Sequence, residues 1–594
     1  MTLQLDQSQV AAVEIEPETR QIVIAGPGSG KTEVVAALLQ HLATAHGADL
    51  ADELLVLSFS RAAVHAVTRR LRESESLTVA PAVRTLDSLA VEILADNDRE
   101  HEHLSFDDRV AAAASVVRDQ GWHALEVLLH VVVDEVQDVV GLRADFLLAL
   151  LRALPREAGF TLLGDPAQAI YDFQLDGRSA TTSTDLLREA AGLGEVRHQE
   201  LTGQYRAGTR ETAQLMGVRS TVLEGTHLSA RKALTAIAGV VPLGSVDDAV
   251  AYLPRWAGST AFLTRTNGQA LLVAEALWKR DVRTTVRRPA ADRPTATWVA
   301  HVVRAIGRDT FDRSDFESAA AALLSPDEIA SAWRAVRTTS RARGPRVEAR
   351  SLAAGLTGGR AVPGDLLAEQ ESSVVVSTVH RAKGLEFDNV VLADFPDDAR
   401  PPGDGDGPDE ARRMYVAVTR ARVRLGRATG PKTWNLRRDE STGRWYLRGR
   451  EGWQTFGFGL RGSDMDRRRP PGSDPGLVQD HLAAVGVGDP LQLRLETKKS
   501  TLDVPAYAVI HEGTVIGTTS ADFGKALATR IGPATRRKRG TLPWPILSGA
   551  HVEALETVAG RPAEGMEDVG RSGLWLGVRP AGMLRLSWKE EADA

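Results

Sequence analysis

The chain has no cysteine. Disulfides, thiolate zinc sites and cysteine-ligated iron–sulfur clusters are therefore excluded. No apolar run approaches the length of a membrane span, and the first residues, MTLQLDQSQVAAVEIEPE, lack the charged-then-apolar order of a secretory signal. These absences predict a cytoplasmic protein with no membrane partner. An excess of positive charge is missing too. The formal net charge is −6 over 594 residues, so no global field draws a polyanion, and any such binding needs a local groove. Lysine is scarce, ten of 72 basic residues, which makes a lysine inside a motif informative. There is no internal repeat. What is left is an ordinary soluble composition, 43% hydrophobic and 25% charged, at a length that predicts several domains.

Short apolar runs recur along the chain: QIVIAG, LLVLSFS, LLHVVVDE, FTLLGD, TAFLTR, SVVVST and NVVLAD. They are continuous rather than alternating, as strands covered on both faces of a parallel sheet should be. Helical spacing lies between them; residues 31–45 place Val35, Leu38, Leu39 and Leu42 on one face. The expected class is α/β, with two doubly wound parallel sheets. The first lobe is expected at 1–200 and the second at 201–284 and 371–435. An Ala/Arg-rich helical insertion occupies 285–370. A connecting segment at 436–475 ends near RRRPPGSDPG, and a strand-rich C-terminal module follows at 476–594.

The stretch QIVIAGPGSGKTEVVAALLQ, residues 21–40, reads as a strand, a glycine-rich turn and a helix. Such a turn cradles phosphates with inward backbone N–H groups and the helix dipole. Ala25 stands where the strict pattern has a glycine; Gly26, Pro27, Gly28, Ser29 and Gly30 form the rest of the loop. Lys31 can reach the outer phosphates, and the Thr32 hydroxyl can ligate Mg²⁺. A magnesium–nucleotide site also needs a carboxylate at a neighbouring strand end, and LLHVVVDEVQD supplies Asp134 for the metal and Glu135 to orient or deprotonate water. An Asp-Glu pair alone would read as a solvated strand end. With the loop a hundred residues upstream it reads as a site for ATP and Mg²⁺.

The run DEVQD, followed in order by LLGDPAQAIYDF, LTGQYRAG, VVVSTVHRAKGLEFDNVVL and DEARRMYVAVTRARVRL, resembles the superfamily 1 helicases of the UvrD/Rep/PcrA type over roughly residues 1–435. Ala25 also matches that group. The resemblance implies two RecA-like P-loop lobes, with Gln9 reading adenine, Tyr205 stacking on it and Glu386 at the ribose. It makes Gln168 a γ-phosphate reporter. Arg206 and Arg420, both assigned to the second lobe, become arginine fingers that meet the triphosphate when the lobes close. On the DNA side it implies Phe59, Thr85, Tyr171, Phe173, Thr378 and His380, aromatic rings serving as platforms for bases of any sequence.

Some features depart from the family. Leu86 and Asp87 replace the usual Phe and His, and Gln204 replaces Asn. The accessory insertion of the first lobe is nearly absent around 95–128, and the second-lobe insertion is short. No nuclease-like carboxylate cluster stands out near the C-terminus, so that module is expected to bind a partner protein or DNA. The basic clusters at 467–469 and 536–539 read as solvated surface. The resemblance implies an ATP-dependent helicase or translocase moving 3′ to 5′ on single-stranded or tailed double-stranded DNA, in repair or recombination. The other reading is an ATP-gated DNA-binding subunit of a regulatory or defence complex with little unwinding of its own.

Overall fold

The computed structural model describes residues 5–49, 51–58, 83–101, 103–175, 177–287, 292–357, 362–368, 372–395, 407–449, 455–472, 474–532, 544–560 and 569–588. Phe59 and the basic cluster at 536–539 lie outside them. The chain folds into two compact units. One comprises Met1–Val240, Ala382–Asp388 and Arg400–Leu425; the other comprises Val241–Arg381, Asn389–Ala399 and Gly426–Ala594.

The first unit is built on β1 (Arg20–Ala25), β2 (Leu54–Ser58), β3 (Val83–Thr85), β4 (His130–Asp134), β5 (Gly159–Gly164) and β6 (Val196–Leu201). Their order in the sheet is β3-β2-β4-β5-β1-β6, and every pairing is parallel. The continuous apolar runs become buried strands because helices cover both faces. Lys31–Ala45 buries Val34, Val35, Leu38, Leu39 and Leu42 on one side, and Leu142–Ala153 buries Phe146, Leu147, Leu150 and Leu151. Parallel order carries all strand C-termini to one edge, where β1, β4 and β5 deliver the phosphate loop, Asp134 and Asp165 side by side. Among the described residues between the helix Leu86–Asp96 and β4 lie the helix Phe106–Asp119 and a short 3-10 turn, His123–Glu126.

One polar residue is locked into this sheet. His130 is fully buried; its Nδ1 donates to the Pro17 carbonyl at 2.7 Å, and its Nε2 accepts from the Thr161 hydroxyl at 2.8 Å. Burial pulls the imidazole pKa down to about 4.

The second unit contains β7 (Pro242–Ser245), β8 (Thr260–Thr264) and β9 (Thr285–Val286). The insertion contributes β10 (Thr310–Phe311) and β11 (Val347–Glu348), and then come β12 (Val374–Thr378), β13 (Phe387–Asp394) and β14 (Ala421–Thr429), of which residues 387–388 and 421–425 are counted with the first unit. The sheet order is β7-β14-β13-β8-β12-β9, with β7–β14, β13–β8, β8–β12 and β12–β9 parallel. Four helices, Thr297–Ile306, Arg313–Ala320, Pro326–Ser340 and Ala349–Thr357, pack the insertion around Phe311, Phe316, Trp333 and Leu352.

The C-terminal region is one antiparallel sheet of eight strands: β15 (Leu436–Arg438), β16 (Trp445–Arg448), β17 (Thr455–Leu460), β18 (Pro490–Leu495), β19 (Tyr507–His511), β20 (Thr514–Thr518), β21 (Ile546–Ala559) and β22 (Leu574–Ser587). Its order, β15-β16-β17-β22-β21-β18-β19-β20, draws three strands from the segment read as a connector. The physical reason is β22, which is long enough to pair with both β17 and β21 and so ties 455–460 to the chain end. The sheet also shares a core with the lobe beside it: Leu436, Leu447, Ala581 and Met583 pack with Ala270, Leu271 and Leu277 of the helix Asn267–Trp278. Arg467 is held by buried Glu556 at 2.5 Å, and Arg468 pairs with Asp466 at 2.6 Å. The first basic cluster is thus partly ion-paired rather than free surface.

Candidate nucleotide site

The phosphate loop follows β1 and opens the helix Lys31–Ala45. Gly28 and Gly30 have φ of 78° and 83°, a region closed to most side chains. Space forbids a side chain as well. A Cβ on Gly28 would lie 2.2 Å from Gln204 Oε1 and 2.5 Å from Arg206 Cβ, and one on Gly30 would lie 2.5 Å from Gln9 Nε2. The segment 204–206 therefore grips the loop directly: the Tyr205 N–H donates to the Gly28 carbonyl at 2.7 Å, and Gln204 Nε2 donates to the Pro27 carbonyl at 2.8 Å. Inside the loop the Ser29 hydroxyl donates to Gly26 O at 2.8 Å.

Gln9 and Tyr205 meet at the helix end of this loop. Gln9 caps its own helix reciprocally with Asp6 and donates to Ser29 O at 3.0 Å. The Tyr205 ring is 61% exposed, its hydroxyl donating to Asp6 Oδ2 at 2.5 Å. An amide and an open aromatic face beside a phosphate loop suit a purine.

Lys31 Nζ donates to Ala25 O at 3.2 Å and stands 4.0 Å from Glu135 Oε1. Glu135 is one of five described non-glycine residues with positive φ, at 56°. Strain of this kind, about 1–3 kcal/mol, persists where the surroundings over-determine a residue. Here they do: Glu135 N–H donates to Asp134 Oδ1 at 2.9 Å, and Gln137 Nε2 donates to the Glu135 carboxylate. The two neighbouring carboxyls are pushed apart. Burial, then the adjacent Glu135, raise Asp134; burial also raises Glu135, but Lys31, Lys383, the Gln137 hydrogen bond and Arg420 outweigh it and hold its carboxyl low. Of the two, Glu135 is the carboxyl that its neighbours hold in the ionised form.

A connected chain of hydrogen bonds runs from this pair. Asp165 N–H donates to Gln137 Oε1, Gln168 Nε2 donates to Asp165 Oδ2, and Arg420 Nη2 donates to Gln168 Oε1, each at 2.9 Å. Arg420 is 2% exposed, and its guanidinium also meets the carbonyls of Val416 (3.0 Å) and Leu385 (3.3 Å). Burial, followed by neighbouring Arg206, lowers its pKa to about 10. Arg206 Nη2 is 2.5 Å from Glu386, its Nη1 donates to Thr419 O at 3.3 Å, and its buried Nε has no partner. Glu386 is thereby engaged by two guanidinium groups, since Arg422 lies 2.7 Å away. Although the sequence division assigns Arg206, Glu386 and Arg420 to the second lobe, all three belong to the compact unit that carries the phosphate loop.

The residues present fit a magnesium nucleotide. The loop supplies backbone donors and Lys31. The metal would be held by the Thr32 hydroxyl and Asp134. Among the described residues no group of three or more His, Cys, Asp or Glu forms a closed cage. Two protein ligands suit Mg²⁺, which keeps waters and takes its other oxygens from phosphates.

The residues assigned to DNA are distributed. Thr85 caps the helix Leu86–Asp96 in a reciprocal pair with Ser88. Leu86 is buried, and Asp87 forms an ion pair with Arg143 at 2.6 Å, which gives both departures from the family pattern a packing role. Tyr171 caps the short turn Asp172–Gln174 and Phe173 lies within it, with ring centroids 6.1 Å apart; Phe173 is 67% exposed. Thr378, buried at the end of β12, and His380 in the next turn belong to the other compact unit.

Sequence reasoning missed a buried ion pair, Lys383 with Asp138. The Lys383 ammonium also sits 5.2 Å from the centre of the Tyr171 ring. The rarity of lysine, the signal that singles out Lys31, applied equally to Lys383 inside HRAKGLEF. Gln137 and Asp165 lie inside DEVQD and LLGDPAQAIYDF, motifs that carry the resemblance, but received no role of their own; Arg219 lies in no motif.

Two family models match the chain, an AAA domain over residues 9–174 and the UvrD-like helicase C-terminal domain over residues 363–426. No curated protein sequence matches. Among solved structures, the chain is similar to the DUF1998 helicase MrfA bound to DNA, at 12% identity and a TM-score of 0.32, over 72% of this chain and 51% of that one. It spans about half the length of MrfA. It is also similar to the Pif1 helicase from Bacteroides in complex with ADP-AlF3 and single-stranded DNA, at 14% identity and a TM-score of 0.35, over 74% of this chain and 96% of that one. No helix among the described residues is long and apolar enough to cross a membrane. The AAA domain and the UvrD-like helicase C-terminal domain are thus matched in chain order, and the two matches support the resemblance to the UvrD-like superfamily 1 helicases.

Proposed function

We propose that the chain hydrolyses ATP to move 3′ to 5′ along single-stranded DNA and to open tailed duplexes, in repair or recombination. The observation that carries the ATP half is the continuous network joining Glu135, through Gln137, Asp165 and Gln168, to Arg420. Lys31 and the loop amides bind the phosphates, with Gln9 and Tyr205 at the base and Glu386 at the ribose. Thr32 and Asp134 would hold Mg²⁺, which would supply charge neutralisation for the phosphates. Ionised Glu135 orients the attacking water and draws its proton. Arg206 and Arg420 stabilise charge on the transferring phosphoryl oxygens, and Gln168 registers whether that group is present. Tyr171 and Phe173 are the stacking platform on the DNA side, with Thr85, Thr378 and His380 on the backbone; Phe59 has the same assignment from its motif alone.

The test is strand displacement on duplexes tailed at the 3′ or the 5′ end, with ATP and Mg²⁺. Opening of only the 3′-tailed substrate supports the proposal; opening of only the 5′-tailed one removes its polarity. A second reading is an ATP-gated DNA-binding subunit of a regulatory or defence complex, with translocase activity but little unwinding alone. It draws on the helix Phe106–Asp119 standing where an accessory domain would sit, and on the eight-stranded C-terminal sheet as a surface for a protein partner. ATPase stimulated by single strands without displacement of either duplex would favour it.

A further inference from the structure

Arg219 is outside every motif read from the sequence, yet it lies on the phosphate loop. It opens a short helix, Arg219–Leu223. Its Cδ and Nε come within 3.4 Å of the point where a Cβ of Gly26 would be. Nε donates to Asp165 Oδ1 at 2.9 Å, and Nη1 donates to Glu200 Oε1 at 3.1 Å. Nη2 is buried out of reach of solvent and has no hydrogen-bond partner. A buried guanidinium N–H without an acceptor is uncommon and asks for an explanation.

The position of Gly26 provides one. The loop ends at the helix N-terminus beyond Gly30, where amides and helix dipole favour phosphate oxygens. Gly26 is at the opposite end, directly after β1 and beside β5, the strand that delivers Asp165 and Gln168. Through Asp165, Arg219 is linked to Gln168 and by it to Arg420, the two groups assigned above to the outermost phosphate. Asp165 is fully buried and divides its two oxygens: Oδ1 accepts from Arg219, and Oδ2 accepts from Gln168, whose own oxygen holds Arg420.

We infer that Arg219 is a third guanidinium of the terminal phosphate site, one that distinguishes a nucleoside triphosphate from a diphosphate. The terminal phosphate supplies the acceptor that Nη2 lacks. Asp165 carries the change to Gln168 and Arg420, because a shift of its carboxylate toward or away from Arg219 moves the other oxygen too. The inference rests on the ATP reading of the site. Lysine could not replace this group, since its single ammonium cannot serve Asp165, Glu200 and a phosphate oxygen from one rigid plane.

The experiment measures equilibrium binding of ATPγS and of ADP, both with Mg²⁺, to the full chain and to its Arg219→Gln and Arg219→Lys variants. The wild type is read first: binding neither nucleotide would overturn the ATP reading itself, before any variant is considered. Given wild-type binding, Arg219→Gln should weaken ATPγS by about tenfold or more, the worth of one hydrogen bond to a charged group, and leave ADP within about twofold. Arg219→Lys keeps a cation beside Asp165, guards against a variant that fails to fold, and should also lower the ratio of ATPγS to ADP affinity. Parallel losses for the two nucleotides, or an unchanged ratio in both variants, would assign Arg219 to structure alone and overturn the inference.

Discussion

The bond from Arg420 Nη2 to Gln168 Oε1 allows a quantitative test, because each side can be removed separately. Arg420→Gln deletes a guanidinium that is 2% exposed and has acceptors on Gln168, Thr419, Val416 and Leu385. An arginine finger is worth about 10³–10⁵ in rate, or about 4–7 kcal/mol of barrier. Gln168→Ala removes two charge-assisted hydrogen bonds; the one from Arg420 is worth about 1.5–3 kcal/mol, and so about 10- to 150-fold in rate. If Gln168 acts only by aiming Arg420, its removal costs nothing further once Arg420 is gone. The double variant should then be no slower than Arg420→Gln. The coupling should equal the full effect of Gln168→Ala, within the range of about 0.5–3 kcal/mol that contacting residues show. The assay is steady-state ATP hydrolysis at saturating oligothymidylate, with kcat determined for the four proteins. Losses that multiply, so that the double variant is slower by the product of the two, would refute the relay and leave two independent groups.

Three further outcomes follow from particular contacts. His130 is buried neutral with its pKa lowered to about 4 from 6.5, so the unfolded chain binds more protons between those values; its contribution is complete above pH 6.5 and falls as the pH drops toward 4, by about 3 kcal/mol in all. The apparent melting temperature should decline over that window less steeply in His130→Gln than in the wild type, and identical slopes would exclude the residue as a source. Phe173→Ala should weaken single-strand binding by about 1–3 kcal/mol, read by fluorescence anisotropy of a labelled oligonucleotide, with DNA-free ATP hydrolysis unchanged; unaltered binding would remove Phe173 from the platform. Lys383→Met leaves buried Asp138 without its cation and should lower the melting temperature, since breaking a buried pair costs about 3–5 kcal/mol. Replacing both residues, as Asp138→Leu with Lys383→Met, should recover part of the loss, and no recovery would mean that the pair is not the cause.

The parallel lobes were legible because buried parallel strands are continuous apolar runs, and the phosphate loop because its glycines have a fixed spacing. Gly28 and Gly30 show why only glycine serves: the backbone is left-handed at both, and Gln204, Arg206 and Gln9 occupy the space of a side chain. The opening strands of the C-terminal sheet were illegible for the opposite reason. LRR, WYLR and TFGFGL are short and carry little period, and their pairing depends on β22, more than a hundred residues later. The relay was half legible. Glu135, Gln168 and Arg420 come from separate motifs; Gln137 and Asp165, which connect them, lie inside two of those motifs, but only the fold shows that they link the others. Arg219 is one arginine among many, and only the fold sets it against Gly26.

Steady-state ATP hydrolysis by the full chain, with and without single-stranded DNA, compared with Glu135→Gln, bears most directly on the account. The wild type should be stimulated by the strand, while Glu135→Gln should bind ATP and DNA as tightly and turn over at least about a hundredfold more slowly, the scale of general-base loss. A wild type that binds ATP but ignores DNA, or a Glu135→Gln variant with full activity, would contradict it.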